Sequence, residues 1–285
     1  MNYSPTVRVG CQGWNYDDWV TPPASAAPVF YPRGTRAADM LAAYARAFDT
    51  VEVDSTFYAV PTEGAVAGWA RKAPEGFTFS LKLPREVTHE QALRGPEARR
   101  VLEEFCARAR VLKEKLGAVL VQLPPQFEAT RENAAALRDF LPLLPEDIRF
   151  AFEFRDPFWF EEDLMEPLAG GGRHLSLALV EGPWASRERI WRAAAPVIEA
   201  TGFAYLRWMG QRDITTFDSV VRPMDANLAR WAAAAERLRA RLPEVFAYFS
   251  NFYEGHAPAS ANKLKRLLGQ QTVSPEELDN QQSLF

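Results

Sequence analysis

Two kinds of hydrophobic pattern alternate along the chain. Short runs rich in β-branched and aromatic residues are typical of buried strands. The longer segments between them carry apolar residues every three or four positions, the spacing of a helix with one buried face. Strands are predicted at residues 7–11, 50–54, 78–82, 118–122, 149–153, 175–179, 204–207 and 245–250. Helices are predicted at residues 38–48, 62–73, 96–115, 133–141, 161–168, 187–195, 226–241 and 258–268.

The alternation of eight strands with eight helices predicts an α/β fold, a parallel (β/α)8 barrel of the TIM type. A chain of 285 residues fits such a barrel as a single domain, which we predict for residues 1–269. An open, doubly wound sheet is the alternative. It is disfavoured because no G-x-G-x-x-G loop follows the first strand, where a dinucleotide-binding sheet places its phosphate site.

Composition and charge narrow the range of functions. The net charge of −4 at pH 7 argues against a protein that coats nucleic acid, so any DNA contact needs a local basic patch. Cys11 and Cys106 have no metal-ligand spacing and are expected to be buried thiols. The N-terminal residues lack the apolar run of a signal peptide, and no segment reaches the length of a membrane span. We therefore expect a cytoplasmic protein with no membrane partner.

Seven sequence strings occur in order along the predicted barrel. They are Gly10-x-x-Gly13-Trp14-x-Tyr16-x-x-Trp19, VEVDSTFY, GFTFSLKLPREVTH, QLPPQF, FEFRDPFW, YLRWMG and FSNFYEGHAPASA. Together they resemble the DUF72 family, also called YecE-like, over residues 7–268. The resemblance implies a barrel fold and a family without an established activity. Asp54, Met209 and Ser250 stand where this family usually has Asn, His and Asn.

Charged and polar side chains fall at the carboxyl ends of the predicted strands, where TIM barrels place their reactive groups. Ionised groups that emerge from apolar runs are costly unless they pair with each other or bind something. The residues at these ends are Glu52, Asp54, Lys82, Gln122, Glu153, Arg155, Arg207 and Asn251.

Two interpretations of this set remain open. In the first, the charges neutralise one another in a structural ion network. In the second, Lys82, Arg155 and Arg207 bind a phosphate or carboxylate, and Glu153 or Glu52 acts as the general acid or base. Gln122, Asp54 and Asn251 would complete that anion-binding pocket.

Histidine and metal chemistry add one further candidate. The three histidines are too few for a multi-zinc centre. His89 follows the third strand close to the predicted mouth of the barrel, and it is either a catalytic acid or a hydrogen-bonded structural residue. Mg²⁺ or Mn²⁺ bound by Glu52, Asp54 or Glu153 is an open alternative that no ligand spacing supports. We therefore assign no metal ligand.

Aromatic residues are frequent in the loops that follow the strands. Exposed aromatic rings close to basic groups are suited to stacking on a nucleobase or a single strand. Trp14 and Tyr58 are the predicted stacking residues. The alternative is that these rings only pack long loops against the barrel. The loop aromatics are Trp14, Tyr16, Trp19, Phe57, Tyr58, Phe158, Trp159, Phe160 and Trp208.

The last residues form a polar segment that ends in two bulky apolar side chains. We predict that residues 270–285 are a flexible tail. Gln281, Ser283, Leu284 and Phe285 resemble the bacterial sliding-clamp-binding peptide, whose pattern is Gln, any residue, Ser or Asp, Leu, Phe. Such a peptide would dock reversibly on the clamp through its apolar residues. The alternative is that Leu284 and Phe285 fold back onto the barrel.

These features favour a DNA-processing protein associated with repair. Its barrel mouth would bind a phosphate-containing nucleic-acid site, and its C-terminus would dock on the sliding clamp. The reaction, if there is one, would cleave a phosphodiester or an N-glycosidic bond of a damaged or flipped nucleotide. The alternatives are an enzyme acting on a small phosphorylated metabolite and a non-catalytic adaptor of the clamp.

Overall fold

A computed structural model describes residues 6–282 of the protein as a closed barrel of parallel strands. The strands are β1 (Thr6–Gln12), β2 (Thr50–Val53), β3 (Thr78–Lys82), β4 (Leu116–Gln122), β5 (Phe150–Glu153), β6 (Leu175–Glu181), β7 (Phe203–Trp208) and β8 (Glu244–Phe249). Each strand pairs with the next in sequence, and β8 closes the barrel by pairing with β1. The prediction of a TIM-type barrel is confirmed.

Within the described chain, seven α-helices lie between the strands in the order that the hydrophobic spacing predicts, and three follow the last strand. The α-helices of the described chain are α1 (Ala37–Tyr44), α2 (Glu63–Lys72), α3 (Gly95–Ala109), α4 (Arg131–Phe140), α5 (Glu162–Gly170), α6 (Arg187–Ala200), α7 (Asp225–Arg239), α8 (Asn251–Glu254), α9 (Ala257–Leu267) and α10 (Pro275–Gln282). Thr62, Thr130 and Ser186 cap α2, α4 and α6, because each side-chain oxygen accepts a hydrogen bond from a first-turn N–H.

One predicted helix is shorter than its apolar spacing indicates. The segment 96–115 forms a helix only as far as Ala109, and residues 110–115 follow as a tight 3-10 turn. Within that turn Lys113 has φ of 53°, a left-handed conformation that an α-helix cannot contain. The backbone thereby leaves the helix axis and enters β4 at Leu116.

The barrel interior is filled by side chains at alternate strand positions. An inner cluster consists of Ala118, Leu120, Ala151, Ala178, Val180, Phe203, Tyr205, Phe246 and Tyr248. The Tyr248 hydroxyl is hydrogen-bonded to the hydroxyls of Thr50 and Ser80 at 2.7 and 2.8 Å. The same alternation turns the polar residues at the next layer inward, towards the carboxyl ends of the strands. The interior is therefore apolar in its middle and polar at one end.

The C-terminal segment packs against the barrel rather than extending from it. The amide of Gln270 donates to the carbonyl of Val7 at 2.8 Å, and Leu278 in α10 is completely buried. The expectation of a flexible tail beginning at residue 270 therefore does not describe residues 270–279. The buried apolar side chain of Leu278 holds the segment on the barrel, which the polar composition of this segment did not indicate. Gln281 lies in the last turn of α10, whereas Ser283, Leu284 and Phe285 lie outside the described residues.

No helix within residues 6–282 combines the length and the apolar character needed to cross a lipid bilayer.

Candidate functional site

A cavity of about 360 Å³ opens at the carboxyl ends of the strands. We call it the mouth cavity, and its lining residues are Gln12, Tyr16, Asp54, Phe57, Tyr58, Lys82, Arg85, His89, Gln122, Arg155, Arg207, Met209, Arg212, Ser250 and Phe252. The predicted cations Lys82, Arg155 and Arg207 thus meet in one cavity, as do Asp54, Gln122, His89 and Tyr58. Its volume lies at the lower end of the range for small-molecule sites.

A buried ion network forms the floor of the mouth cavity. Arg207 on β7 donates two hydrogen bonds to Glu52 on β2, at 2.9 Å from Nε and 2.7 Å from Nη2. Its Nη1 donates to Glu153 on β5. Tyr205 donates to the same Glu52 carboxylate at 2.7 Å. Arg207 is 2% exposed and both glutamates are 0% exposed, so the charges compensate one another away from water.

Arg155 extends this network towards solvent. Its Nε donates to Glu153 at 2.8 Å, and its Nη2 donates to the side-chain oxygen of Gln122 at 2.7 Å. The guanidinium also lies over the ring of Trp184, 4.3 Å from the ring centroid. The side chain keeps 13% of its exposure, so one edge of the group reaches the cavity.

The environment of Glu153 argues against the acid–base role that the sequence predicts for it. Burial alone would raise the pKa of this carboxyl, but Arg207 and Arg155 outweigh burial and hold the pKa at about 2. Its two oxygens each accept a hydrogen bond from a guanidinium. The Glu52 oxygens are occupied in the same way by Arg207 and Tyr205. Both glutamates therefore have a structural role in the floor of the mouth cavity. Proton transfer would have to be carried out by other groups of the cavity.

Lys82 has a different environment from the two arginines. It is partly buried at the end of β3, and within the described chain its ammonium has no hydrogen bond or ion pair. The nitrogen lies 3.8 Å from the centroid of the Phe57 ring. Burial is the main cause that lowers the pKa of Lys82 to about 8, and the charge of Arg207 lowers it further against the opposing effects of Glu153 and Glu52.

Asp54 and His89 border the cavity on the side of Lys82. Asp54 is an exposed residue at the rim of the cavity. Its carboxyl group is nevertheless partly shielded from water by the surrounding protein, and this desolvation, followed by the charge of Glu52, raises its pKa. His89 is hydrogen-bonded through Nδ1 to the Thr88 hydroxyl at 2.8 Å. Burial, followed by the nearby cations Lys82 and Arg155, lowers the pKa of His89 to about 4. At neutral pH the imidazole of His89 is therefore uncharged.

Two residues predicted for the site lie elsewhere. The side-chain oxygen of Asn251 accepts hydrogen bonds from the Trp19 indole at 3.1 Å and from the Ala257 backbone at 3.0 Å. Asn251 follows the end of β8 by two residues, and its buried side chain fixes the start of α9 at Ala257 instead of facing the cavity. Trp14 packs edge-on against Trp69 and does not line the mouth cavity.

Trp14 instead lines a neighbouring cleft of about 590 Å³ between the loop after β1 and helices α1 and α2. This cleft shares Tyr16 and Asp54 with the mouth cavity. Of the loop aromatics, Tyr58 and Phe158 are the exposed ones, at 73% and 66%. The other loop aromatics are buried or packed against the loops. Trp19, Trp159, Phe160 and Trp208 belong to the hydrophobic core, as expected if these rings only pack the loops against the barrel.

Several lining residues were not predicted as site residues. Gln12 is the last residue of β1, and its amide donates to the Met209 sulfur at 3.1 Å. Its position at the end of a strand could have identified Gln12 as a candidate site residue. Arg85 and Arg212 come from loops, where sequence spacing does not indicate direction. Asp54, Met209 and Ser250, the three departures from the DUF72 pattern, all line the mouth cavity.

Metal binding finds little support in this arrangement. Throughout residues 6–282, no group of three or more His, Cys, Asp or Glu side chains is placed to hold a metal ion. The oxygens of Glu52 and Glu153 already accept hydrogen bonds from arginine. Asp54 alone of the three proposed carboxylate ligands remains accessible.

Comparison with known proteins agrees with the barrel fold and with the resemblance that the seven sequence strings indicate. The chain is 27% identical to the UPF0759 protein YunF of Bacillus subtilis, over 96% of this chain and 99% of that protein. It is 29% identical to the UPF0759 protein YecE of Escherichia coli over 59% of this chain and 55% of that protein. A DUF72 family protein of Thermotoga maritima has a similar structure, with a TM-score of 0.73, 24% identity and coverage of 93% and 99% of the two chains.

A second solved structure, a DUF72 family protein of Enterococcus faecalis, gives a TM-score of 0.70 at 20% identity, covering 95% of this chain and all of that one. The family profile described as "Protein of unknown function DUF72" matches residues 8–283. Since that match spans nearly the whole chain, the protein belongs to the DUF72 family.

Proposed function

We propose that the mouth cavity binds the phosphate group of a nucleic-acid site and that the protein processes damaged DNA. The observation that carries this proposal is the Lys82 ammonium, which lies in the cavity and has no counter-ion within hydrogen-bonding distance among residues 6–282. A partly buried cation of this kind is costly unless an anion from outside completes its surroundings. A phosphate supplies both the charge and several acceptor oxygens.

The balance of charges in the cavity supports an anionic ligand. Arg207 and Arg155 are compensated by the two buried glutamates of the floor. Arg85 forms an exposed ion pair with Glu90 at 3.0 Å. Lys82 and Arg212 remain as positive groups at the cavity, facing the single lining carboxylate of Asp54. This local excess of positive charge exists although the whole protein is acidic.

The rim supports stacking on a base. Tyr58 lines the cavity with 73% of its surface exposed, so its ring is accessible to a ligand at the rim. Aromatic faces stack on nucleobases with little regard to sequence. A cavity of about 360 Å³ admits one nucleotide and excludes intact duplex, so the ligand would be a flipped or unpaired nucleotide.

The proposed reaction is cleavage of a phosphodiester or N-glycosidic bond. Asp54 and His89 are the groups of the cavity that can take up a proton, because both are uncompensated by an ion pair and border Lys82. They replace Glu153 in the role that the sequence assigned to it.

We further propose that the C-terminus docks on the sliding clamp and that the protein acts in the cytoplasm, where the clamp and DNA lie. Gln281, Ser283, Leu284 and Phe285 carry the motif. Helix α10 anchors the preceding residues through Leu278, so the motif begins in its last turn and continues past it. A short peptide of this kind gives modest, reversible affinity.

One observation favours a second candidate. The small volume of the cavity equally suits a free phosphorylated metabolite, such as a sugar phosphate. In that case the rim Tyr58 would cover the ligand rather than stack on a base. The two candidates share the phosphate contact with Lys82, and they differ in whether a polynucleotide is needed.

Fluorescence anisotropy with labelled oligonucleotides tests the proposal. Intact, abasic, uracil-containing and nicked oligonucleotides are titrated with wild-type protein and with Lys82→Met, with and without Mg²⁺ or Mn²⁺, and product formation is followed on gels. The matched control is Lys113→Met, because Lys113 is exposed at the opposite end of the barrel. We expect tightest binding to abasic DNA and a loss of about tenfold in Lys82→Met alone, as for a hydrogen bond to a charged group.

Equal binding by wild type and Lys82→Met would overturn the proposal. Binding of glyceraldehyde 3-phosphate, measured by isothermal titration calorimetry, without binding of any oligonucleotide would instead establish the second candidate. A non-catalytic adaptor predicts clamp binding together with no product from any oligonucleotide.

A further inference from the structure

Lys82 differs from every other lysine of the protein. The other five are Lys72, Lys113, Lys115, Lys263 and Lys265. Four of these donate hydrogen bonds, Lys72 to Ala38, Lys115 to Ala70 and Ala73, Lys263 to Asp225 and Glu254, and Lys265 to Ala47. Lys113 is exposed to solvent. Lys82 is thus the lysine whose amine is partly buried in a cavity and has no hydrogen bond or ion pair to any residue that the structure describes.

The ion network beneath Lys82 explains why its amine stays unpaired. Glu52 and Glu153 lie close enough to influence its charge, yet their oxygens bind Arg207, Tyr205 and Arg155. The ring of Phe57 lies beside the amine, with its centroid 3.8 Å away. An enclosed amine beside an apolar ring and additional cations is the environment that converts a lysine into a nucleophile.

We propose that Lys82 is a catalytic residue that forms an imine with the aldehyde carbon of a phosphate-bearing sugar. This inference rests on the proposed function and names its substrate class. An abasic site in DNA presents such an aldehyde in its ring-opened form, with a phosphate two carbons away. A free sugar phosphate presents the same chemistry without the polynucleotide.

The chemistry proceeds in balanced steps. The neutral amine adds to the carbonyl carbon, a C–N bond forms, and the carbonyl oxygen takes up protons and leaves as water. The resulting iminium ion makes the hydrogen on the adjacent carbon acidic. Asp54 or His89 accepts that proton, and the C–O bond to the phosphate on the next carbon breaks, with the electron pair leaving on the phosphate oxygen. Addition of water to the iminium then releases Lys82 and the unsaturated aldehyde.

The charged groups around the cavity fit these steps. Arg212 and the exposed edge of Arg155 line the same cavity and supply positive charge for a leaving phosphate. The pKa of Lys82, about 8, leaves about a tenth of the amine neutral at pH 7, whereas a lysine near 10.4 is neutral in well under a thousandth of molecules.

Reductive trapping tests the imine directly. Wild-type protein is incubated with an abasic oligonucleotide, or separately with glyceraldehyde 3-phosphate, in the presence of sodium cyanoborohydride, which reduces an imine to a stable amine. Peptide mass spectrometry then locates the adduct among the lysines. Binding of each probe is measured separately without the reductant, and thermal melting checks that Lys82→Arg and the control Lys113→Arg are folded.

We expect the adduct on Lys82, and a fall of about tenfold or more in trapped product for Lys82→Arg but not for Lys113→Arg. Trapping by the abasic oligonucleotide identifies DNA as the source of the aldehyde. If only glyceraldehyde 3-phosphate is trapped, the imine proposal is supported, and the substrate is a phosphorylated metabolite rather than a nucleic acid. Binding without an adduct on Lys82, or adducts spread evenly over exposed lysines, overturns the imine and leaves the proposed binding function intact. Neither binding nor trapping overturns both. The mapping uses wild-type protein, so it decides the question even if Lys82→Arg does not fold.

Discussion

Arg207 and Glu52 form a two-pronged ion pair across the inside of the barrel, with hydrogen bonds of 2.9 and 2.7 Å between strands β7 and β2. Glu153 accepts a further hydrogen bond from the same guanidinium. One cation therefore holds two carboxylates that are completely buried. The floor of the mouth cavity depends on this arginine.

Replacing Arg207 by Leu should strongly destabilise the protein. The change leaves two buried carboxylates without their shared cation, and breaking a buried pair in this way costs about 3–5 kcal/mol. Urea unfolding at pH 7 measures the loss. Arg212→Leu is the control, since this exposed arginine lies outside the network and its removal should change stability by about 0.5 kcal/mol or less. A similar small effect in both variants would show that the ion network contributes little.

Binding of a single-stranded oligonucleotide should weaken as the pH rises through about 8. The pKa of Lys82 is lowered to about 8, so its ammonium is charged below this pH and neutral above it. Phosphodiester groups keep their charge over this pH range. A change in affinity therefore reflects the titration of a group on the protein. We expect a loss of about tenfold between pH 7 and pH 9, as when a charged hydrogen bond is removed. Lys82→Met should bind weakly and show a flat profile, and a pH profile shared by both proteins would contradict this assignment.

Tyr58→Ala should reduce oligonucleotide affinity while Tyr58→Phe retains most of it. Stacking of one base on an aromatic ring contributes about 1–3 kcal/mol, and only the ring is needed. Phe158→Ala is the matched control, because Phe158 is similarly exposed but lies away from the mouth cavity. Anisotropy titrations compare the four proteins. Equal losses for Tyr58→Ala and Phe158→Ala would remove the stacking role.

Stability should fall as the pH is lowered from about 6.5 towards 4. Burial lowers the pKa of His256 in the folded protein to about 4, whereas an unfolded histidine titrates near 6.5. The unfolded chain therefore binds more protons in this window, and the folded state loses stability there, by about 2–3 kcal/mol for His256. Unfolding at pH 7 and pH 4.5 should show a smaller difference for His256→Gln than for wild type. An unchanged difference would mean that His256 is not the group responsible.

Removal of Ser283, Leu284 and Phe285 should abolish binding to a purified sliding clamp without affecting the melting temperature. The barrel and the buried Leu278 of α10 lie before the deletion, so the fold should be unaffected. Surface plasmon resonance measures clamp binding. Glu276→Ala, an exposed change in the first turn of the same helix, serves as the control. Clamp binding that survives the deletion would remove the tail as the docking element.

The sequence predicted the barrel well because its signals are local. Alternating apolar runs located all the strands to within a few residues, and the period of two in each strand turned Lys82 and Glu153 to the inside. The partners of these charges were not predictable. Glu52 and Arg207 are 155 residues apart in sequence, and only closure of the barrel brings them together. Which arginines are neutralised, and why Lys82 is not, depends on that closure.

Loop residues were predicted less well for a related reason. Asn251 follows β8 by two residues, but helix α8 begins there and turns its amide towards the Trp19 indole. Trp14 leaves β1 at a turn that directs it to the neighbouring cleft. The C-terminal segment has a polar composition, although the buried Leu278 and the hydrogen bond from Gln270 to Val7 hold it on the barrel. Side-chain direction in such segments is set by tertiary contacts rather than by periodicity.

The central claim is that Lys82 is a low-pKa amine that binds phosphate. Reductive methylation with ¹³C-formaldehyde labels the six lysines, and NMR resolves the Lys82 signal by comparison with Lys82→Arg. We predict that this signal titrates near pH 8 and shifts when inorganic phosphate or an abasic oligonucleotide is added, while the Lys113 signal does neither. A Lys82 signal that titrates with the surface lysines and does not respond to either ligand would contradict the account.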